Sequence, residues 1–204
     1  MTKRVKKEDI EEIIQAINNE KVVSFPTETV FGLGVKFNSK KALDKLMEAK
    51  NRDYSKAITL MVRYVEDIEN FAYVSHEAKK IMNTFMPGML TIVLKKKEIV
   101  DDVMTNGKDT IGIRIPDHEY VLSLLENVGP MLVTSANLSN HPNTTTVEEV
   151  LNQLDGRIDY VVEGETSDNI ASTVIDMSGC DIKILREGKI TRKDIEEVLK
   201  WKLQ

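Results

Sequence analysis

This chain of 204 residues contains very little cysteine and histidine. Cys180 is the single cysteine, and the three histidines are His76, His118 and His141. One cysteine excludes a disulfide within the chain, and the separation of the histidines matches no common zinc-ligand spacing. The sequence therefore predicts no disulfide framework and no metal-binding residues.

Long apolar runs are also missing, since no stretch approaches the roughly 20 residues that a membrane-spanning helix needs. The basic residues 2–7 are not followed by the apolar segment of a signal peptide. We therefore expect a cytoplasmic protein without a membrane partner. Because 41% of the residues are hydrophobic and no linker-like composition interrupts the sequence, we expect residues 1–204 to form a single domain.

Positive charge is not in excess, because the formal net charge at pH 7 is -5. A broad surface for nucleic-acid phosphates is therefore not expected. Acidic residues gather in stretches with helical patterns, whereas several arginines and lysines stand beside loops and at strand ends. This distribution favours a small basic pocket for an anionic ligand.

Helical spacing of apolar residues alternates with short β-type runs in the first half of the chain, and β-type runs dominate later. This order predicts an α/β (mixed α+β) protein with an open, twisted mixed sheet flanked by helices. Asn38 or Ser39 is predicted to cap the helix that follows it, Ser75 is predicted to cap another, and Thr146 with Glu149 is predicted to form a capping box. The predicted strands are residues 22–25, 57–62, 90–94, 110–115, 131–134, 160–162, 172–175 and 182–185.

The common nucleotide-binding motifs are not present. The sequence contains no P-loop, and Gly32-Leu33-Gly34 lacks the third glycine of a dinucleotide-binding fingerprint. Taken alone, these two glycines are typical of a turn that requires small residues. If the chain binds ATP, it does so without a P-loop.

A short basic cluster, Lys50, Arg52 and Lys56, stands at the end of a predicted helix. Cations at this position favour the negative end of the helix dipole, which would explain the cluster without a ligand. Because Arg114 and Arg186 also stand at predicted strand ends, the same cations are typical of a phosphate or carboxylate site. Both explanations remain open from these residues alone.

Two polar segments are further candidates. The alternation of strand 110–115 places Thr110, Gly112 and Arg114 on one face, where the arginine needs a partner or a ligand. Ser135-Ala136-Asn137 follows a predicted strand and is typical of a turn or of a ligand-binding loop. A nucleophilic Ser135 is less well supported, because no G-x-S-x-G motif surrounds it.

Glu28, in a loop after the first predicted strand, is open to several interpretations. Its carboxylate could act as a general base or contact magnesium, although a single loop carboxylate is more often structural.

Read together and in order, the motifs resemble the YrdC/TsaC family of threonylcarbamoyl-adenylate synthases, in its short single-domain form. The resemblance implies a YrdC-like fold with a concave basic face. The segments that carry it are Pro26-Thr27-Glu28-Thr29-Val30-Phe31-Gly32-Leu33-Gly34, Lys50-Asn51-Arg52, Pro87-Gly88, Arg114-Ile115-Pro116, Ser135-Ala136-Asn137, Ser172-Thr173-Val174 and Arg186-Glu187-Gly188.

The resemblance also implies a reaction. L-threonine, bicarbonate and ATP would form threonylcarbamoyl-AMP and pyrophosphate, as the first step of the t6A modification of tRNA. A separate transferase complex would then move the threonylcarbamoyl group to tRNA, and contact with that complex would be indirect or transient. Mg2+ would arrive on the ATP phosphates, because the sequence contains no obvious all-protein cage of carboxylates.

Individual roles follow from the motifs of the resembling family. Lys50 and Arg52 would be the catalytic contacts to the ATP phosphates. Met61 stands where many relatives carry a histidine that touches threonine. The ATP-binding residues would be Lys50, Arg52, Lys56, Thr110, Ser135, Asn137, Asn143 and Arg186. The threonine-binding residues would be Thr29, Arg114, Val133 and Ser172, with the arginine facing the threonine carboxylate.

Two other functions remain as alternatives. A concave basic face could accept an RNA backbone, so a non-catalytic RNA-binding or translation-associated module, or weak RNA binding by the synthase, is conceivable. The net charge of -5 and the scarcity of aromatic residues argue against it. A hydrolase that uses Ser135 is the weakest alternative.

Overall fold

The computed structural model describes residues 1–51, 53, 58–166, 170–201 and 203. These residues form ten β-strands and eight α-helices, with a short 3-10 turn at Lys7–Asp9. The strands are β1 Lys3–Val5, β2 Val23–Phe25, β3 Gly32–Lys36, β4 Thr59–Met61, β5 Leu90–Lys95, β6 Thr110–Arg114, β7 Met131–Ser135, β8 Tyr160–Val162, β9 Thr173–Asp176 and β10 Lys183–Arg186. The helices are α1 Ile10–Asn18, α2 Lys40–Ala49, α3 Val65–Phe71, α4 His76–Phe85, α5 Asp102–Thr105, α6 Glu119–Val128, α7 Val147–Leu154 and α8 Arg192–Leu199.

All ten strands belong to one sheet in the order β1-β8-β2-β3-β7-β4-β6-β5-β9-β10. The sheet is mixed, since β4 runs parallel to β6 on one side and antiparallel to β7 on the other. The predicted α/β class and mixed sheet are therefore confirmed. Of the described helices, none is both long and apolar enough to cross a bilayer.

One face of the central sheet carries a continuous apolar row. Leu132, Leu60, Ile113, Ile92 and Ile175 are partners across β7, β4, β6, β5 and β9, and all are fully buried. They belong to the larger core cluster, to which α2, α4, α7 and α8 contribute. The removal of this apolar surface from water stabilises the centre of the fold, at roughly 25 cal/mol for each square ångström.

The opposite face is covered in part by α1 and α6. Ile13 and Ile17 of α1, with Val121 and Leu124 of α6, pack in a second core cluster against strand residues that include Met131. These two helices contact each other. Elsewhere on this face, strand residues line a cavity and are not covered by a described helix. These residues belong to β4, β5, β6 and β9.

The predicted helix caps are confirmed with one exception. Ser39 Oγ accepts a hydrogen bond from Ala42 N at 3.2 Å, and Ser75 caps α4 in the same way. The capping box predicted for Thr146 and Glu149 is wrong in one half. The Glu149 carboxylate accepts from the amide and hydroxyl of Thr145, at 2.7 and 3.0 Å, so its two bonds are made one residue earlier than predicted.

The interpretation of Gly32 and Gly34 as turn residues is wrong, because both lie within β3. They pair with Phe25 and Val23 of the neighbouring strand β2. A Cβ atom on Gly34 would lie 2.7 Å from Cε1 of Phe25, so a larger residue would collide with the aromatic ring. The glycines therefore make room for a buried side chain and do not change the direction of the chain.

Candidate active site

A cavity of about 450 Å³ lies on the face of the sheet that is opposite the apolar row. Its floor is a second row of paired residues, each of which is one position away from a residue of the apolar row on the same strand. The floor residues are Val133, Thr59, Gly112, Val93 and Asp176. Because successive side chains of a strand point to opposite faces, the same strands supply both the core and the cavity floor.

Gly112 lies at the centre of this floor. A Cβ atom there would meet Cγ2 of Thr91 at 3.4 Å and Cγ2 of Val93 at 3.8 Å, which are ordinary contacts. Packing therefore does not require glycine, and the missing side chain deepens the cavity. Thr110, Gly112 and Arg114 all line the cavity, as the predicted alternation of β6 requires.

The cavity has two ends. Thr110 and Ser135 lie on one side of the floor, whereas Arg114 and Met61 are paired on the other. Thr110 and Arg114 are four positions apart along an extended strand, which corresponds to roughly 13 Å. Hereafter the first is the Thr110 end and the second the Arg114 end.

Arg114 is held in a fixed orientation at its end of the cavity. Its Nη2 donates to Glu28 Oε1 at 2.6 Å and to Thr29 Oγ1 at 3.2 Å, and its Nε donates to Gly88 O at 3.3 Å. Glu28 Oε1 also accepts from Asp117 N at 3.0 Å. The charge that the sequence left without a partner is therefore paired with the Glu28 carboxylate, which sequence spacing could not identify as its partner.

Ser172 and Arg186 form a second polar group at the Arg114 end. Arg186 donates from Nε to Ser172 O at 2.9 Å and from Nη2 to Ser172 Oγ at 3.2 Å. The two hydroxyls of Thr91 and Ser172 lie 2.9 Å apart. Partial burial, and secondly the charge of Arg114, lower the pKa of Arg186.

Arg186 brings a second positive charge to the Arg114 end. Within the described part of the chain, Arg186 forms no ion pair with a carboxylate. Asp176 is the one acidic residue of the described cavity wall, and its Oδ1 accepts two hydrogen bonds from Ser178. Two guanidinium groups thus face one end of the cavity, which suits an anionic ligand.

Lys50 is placed differently from the other predicted site residues. It is fully buried, and its ammonium donates to the main-chain oxygens of Ser135 and Asn137 and, at 3.4 Å, to Asn137 Oδ1. The side-chain amide of Asn137 in turn donates to the oxygens of Leu138 and His141. Among the residues that the structure describes, the cavity wall includes Ser135 but neither Lys50 nor Asn137.

The remaining predicted residues are distributed as follows. The cavity brings together most of the set, namely Thr29, Thr110, Arg114, Val133, Ser135, Asn143, Ser172 and Arg186. Arg52 and Lys56 lie outside the described residues. Arg186, grouped by resemblance with the ATP-binding residues, lies at the Arg114 end beside Ser172. The individual binding roles of all these residues remain predictions.

Sequence reasoning missed the segment 103–108, which supplies part of the cavity wall. It contains α5 and the exposed residue Lys108, and no motif marks it. Met61, whose position the family resemblance assigns to a histidine, lies on the cavity wall and is buried, so an apolar thioether contributes to the wall there.

No group of three or more histidine, cysteine or acidic side chains suited to a metal ion occurs in the described ranges. With Asp176 as the sole described carboxylate of the wall, the donor set does not fit a resident divalent cation.

Known proteins resemble this chain over most of its length. The Sua5/YciO/YrdC family model, described as telomere recombination, matches residues 15–188. The threonylcarbamoyl-AMP synthase of Pyrococcus abyssi is 37% identical over 186 residues, which cover 90% of this chain and 55% of that protein. A Methanocaldococcus jannaschii protein, provisionally given the same name, is also 37% identical over 186 residues, covering 91% of this chain and 88% of that protein.

A solved structure also resembles this chain over its whole length. The crystal structure of Pyrococcus abyssi Sua5 in complex with L-threonine has a TM-score of 0.92 and 33% identity to this chain. The match covers 100% of this chain and 62% of that one. This chain therefore spans about half to two thirds of the length of these Pyrococcus relatives.

Proposed function

Because this chain belongs to the Sua5/YciO/YrdC family, we propose that it is an L-threonylcarbamoyladenylate synthase, a nucleotidyltransferase. Its substrates would be L-threonine, bicarbonate and ATP, and its products threonylcarbamoyl-AMP and pyrophosphate. The observation that carries the proposal is the elongated cavity with two guanidinium groups and several hydroxyls at one end. A length of roughly 13 Å between its ends suits an amino acid joined to a nucleotide phosphate.

Threonine would bind at the Arg114 end. The planar guanidinium of Arg114 suits a carboxylate, and the pair with Glu28 fixes its orientation before the ligand arrives. Thr29 and Ser172 supply hydroxyls beside the two arginines. The apolar floor at Val133 and Met61 would contact the aliphatic part of the substrate.

The nucleotide phosphates would bind at the Thr110 end. Ser135, Thr110 and Asn143 line this part of the cavity, and Lys108 of the missed segment 103–108 adds a cation to the wall. Arg52 and Lys56 are proposed as further phosphate contacts on the strength of the family motif alone. Since the described wall offers no metal cage, Mg2+ would enter as part of the ATP substrate.

The chemistry would depend mainly on position and charge. The threonine amine and bicarbonate condense to a carbamate with loss of water, and a carbamate oxygen then attacks the α-phosphorus of ATP. The bond from this phosphorus to the bridging oxygen breaks, and pyrophosphate leaves. Fixed cations would stabilise the charge on the phosphates in the transition state, and a shared cavity would hold three reactants together.

The proposed product is a mixed anhydride of a carbamic acid and a phosphate, a type of bond that is reactive toward water and other nucleophiles. We propose that residues 1–204 act as one domain in the cytoplasm and pass threonylcarbamoyl-AMP to a tRNA-modifying transferase complex. This places the chain at the first step of t6A formation.

The proposal is tested by pyrophosphate release with each substrate omitted in turn. We expect release only when ATP, L-threonine and bicarbonate are all present. Arg186→Met should raise the KM for threonine at least as much as that for ATP, because Arg186 lies at the Arg114 end. Arg192→Met on α8 is the matched control, since Arg192 bonds to Leu203 and lies outside the cavity. Release that does not depend on threonine would contradict the proposal.

A further inference from the structure

The Lys50 side chain contacts a short segment of the chain that begins where β7 ends. Within the described ranges, its ammonium donates to the main-chain oxygens of Ser135 and Asn137 and to Asn137 Oδ1. In addition, the main-chain oxygen of Lys50 accepts from Ser139 N at 3.0 Å. Lys50 thus holds both the beginning and the middle of the loop 135–144.

We propose that Lys50 is a positioning residue that fixes the shape of the loop 135–144, and that it acts on the nucleotide through Ser135 without touching the phosphates. The part of this inference that concerns catalysis rests on the proposed function. The attachment of the loop by Lys50 does not, and it can be tested without a ligand.

Burial supports a positioning role. The Lys50 side chain has 0% exposure, and a buried ammonium is stable only if its three N–H donors have acceptors. A phosphate would have to compete with these loop oxygens for the ammonium. The carbonyls of Ser135 and Asn137 would then lose a charged donor inside the protein, which is costly.

The loop itself also requires a donor at this point. The carbonyl groups of Ser135 and Asn137 and the Asn137 side-chain oxygen all point toward one place, where their partial negative charges repel each other. A cation there converts this repulsion into attraction. The Asn137 side chain completes the arrangement, because its amide donates to Leu138 O at 2.9 Å and to His141 O at 2.7 Å.

Other contacts attach the two ends of the loop to the sheet. Ala136 N donates to Phe31 O at 2.8 Å, and Phe31 N donates to Thr144 O at 2.9 Å. The hydroxyl of Thr144 donates to Ala136 O at 2.8 Å. The ends are therefore secured independently of Lys50, and its loss should loosen the middle of the loop without unfolding the protein.

The test is hydrogen exchange of the ligand-free Lys50→Met variant. Methionine is about as long as lysine but has no ammonium group. The amides of Asn137 and Ser139, bonded to the oxygens of Ser135 and Lys50, should exchange at least about tenfold faster, equivalent to about 1.4 kcal/mol. Lys45→Met is the matched control, because Lys45 of α2 donates to the main-chain oxygen of Glu20, far from this loop in sequence. The control should leave exchange in the loop unchanged.

A second readout separates positioning from direct contact. Lys50→Ala leaves room for a small alkylammonium ion. Added amine should restore both the protection of the loop amides and the release of pyrophosphate. The amine concentration that gives half of the effect should be the same for both. If the amine does not enter the buried site, the exchange result decides alone. Should Lys50→Met fail to fold, Lys50→Gln keeps two N–H donors and should give a smaller acceleration at the same amides.

Two results would overturn the inference. One is that the amides of Asn137 and Ser139 exchange in Lys50→Met at the same rate as in the wild type, whether or not activity is lost. The other is an amine that restores activity in Lys50→Ala while the loop stays unprotected. If no variant and no wild-type protein releases pyrophosphate, the proposed reaction fails, but the exchange measurements still decide whether Lys50 fixes the loop.

Discussion

Nη2 of Arg114 lies 2.6 Å from Oε1 of Glu28, and the two side chains are only 7% and 10% exposed. The pair joins the loop after β2 to the end of β6, two segments that are 86 residues apart in sequence. It is therefore both a structural link and the support of the arginine that we expect to face threonine. The pair contributes to stability through its balance of charge and to substrate binding through the guanidinium. Variants can therefore separate the two contributions.

Arg114→Met should be strongly destabilising, because it leaves the Glu28 carboxylate buried without its cation. Breaking a buried pair in this way costs about 3–5 kcal/mol in free energy of unfolding, measured by urea denaturation. The double variant Arg114→Met/Glu28→Gln should recover much of that loss, since no uncompensated charge remains. Threonine-dependent activity should stay absent in both. Equal stability of the single and double variants would contradict the pairing.

Gly112→Val should abolish substrate binding with little loss of stability. The new side chain would project from the floor into the cavity, and its Cβ atom meets only ordinary contacts. Calorimetric titration with threonine and with ATP, together with the melting temperature, measures both effects. Gly179→Val is the control, because no atom lies within 4 Å of the corresponding position and the residue is outside the cavity. If Gly112→Val binds threonine and ATP as the wild type does, then Gly112 does not form the floor of the substrate site.

Gly34→Ala should destabilise the protein by about 1–3 kcal/mol, the usual cost of overpacking a core. The physical reason is the 2.7 Å approach of the added Cβ to the ring of Phe25. A second change, Phe25→Leu, shortens the obstructing side chain and should compensate in part, which urea denaturation of the four proteins in the cycle would reveal. Strictly additive effects would mean that these two residues do not compete for space.

Stability should fall as the pH drops below the ordinary pKa of histidine, and His118 should contribute to the fall. Burial, and secondly the charge of Lys7, lower the pKa of His118 from 6.5. The unfolded chain therefore binds this proton more readily than the folded one, so the contribution is complete above the unfolded pKa and decreases with falling pH. His118→Gln should lose less stability than the wild type between about pH 7.5 and pH 5.5. An identical loss would exclude a role for this group.

The sequence was most informative where an apolar alternation was regular. Strands β5 and β6 were predicted within one residue at each end, because their alternate positions Leu90, Ile92, Leu94, Ile111 and Ile113 are apolar. Strand β3 was missed because Gly32 and Gly34 conceal the alternation, and their purpose depends on Phe25 of a different strand. Helix α6 was not predicted, although Tyr120, Val121, Leu124 and Leu125 are spaced as one buried face.

The site was predictable as a set of residues but not as an arrangement. Thr110, Arg114 and Ser135 come together because they lie on neighbouring parts of one sheet. The partner of Arg114 could not be predicted, since Glu28 is remote in sequence and a single loop carboxylate carries no motif. The direction of the Lys50 side chain depends on loop carbonyls, which are main-chain groups and leave no signature in the sequence.

If this cavity joins threonine, bicarbonate and ATP in one product, the carbon atom of bicarbonate must appear in that product. It can be followed by mass spectrometry of the purified protein's reaction with L-threonine, ATP and carbon-13-labelled bicarbonate, quenched within seconds. We expect threonylcarbamoyl-AMP that carries the label, and no such product from Gly112→Val. If the protein binds ATP and threonine yet forms no labelled adenylate, the proposed reaction is wrong.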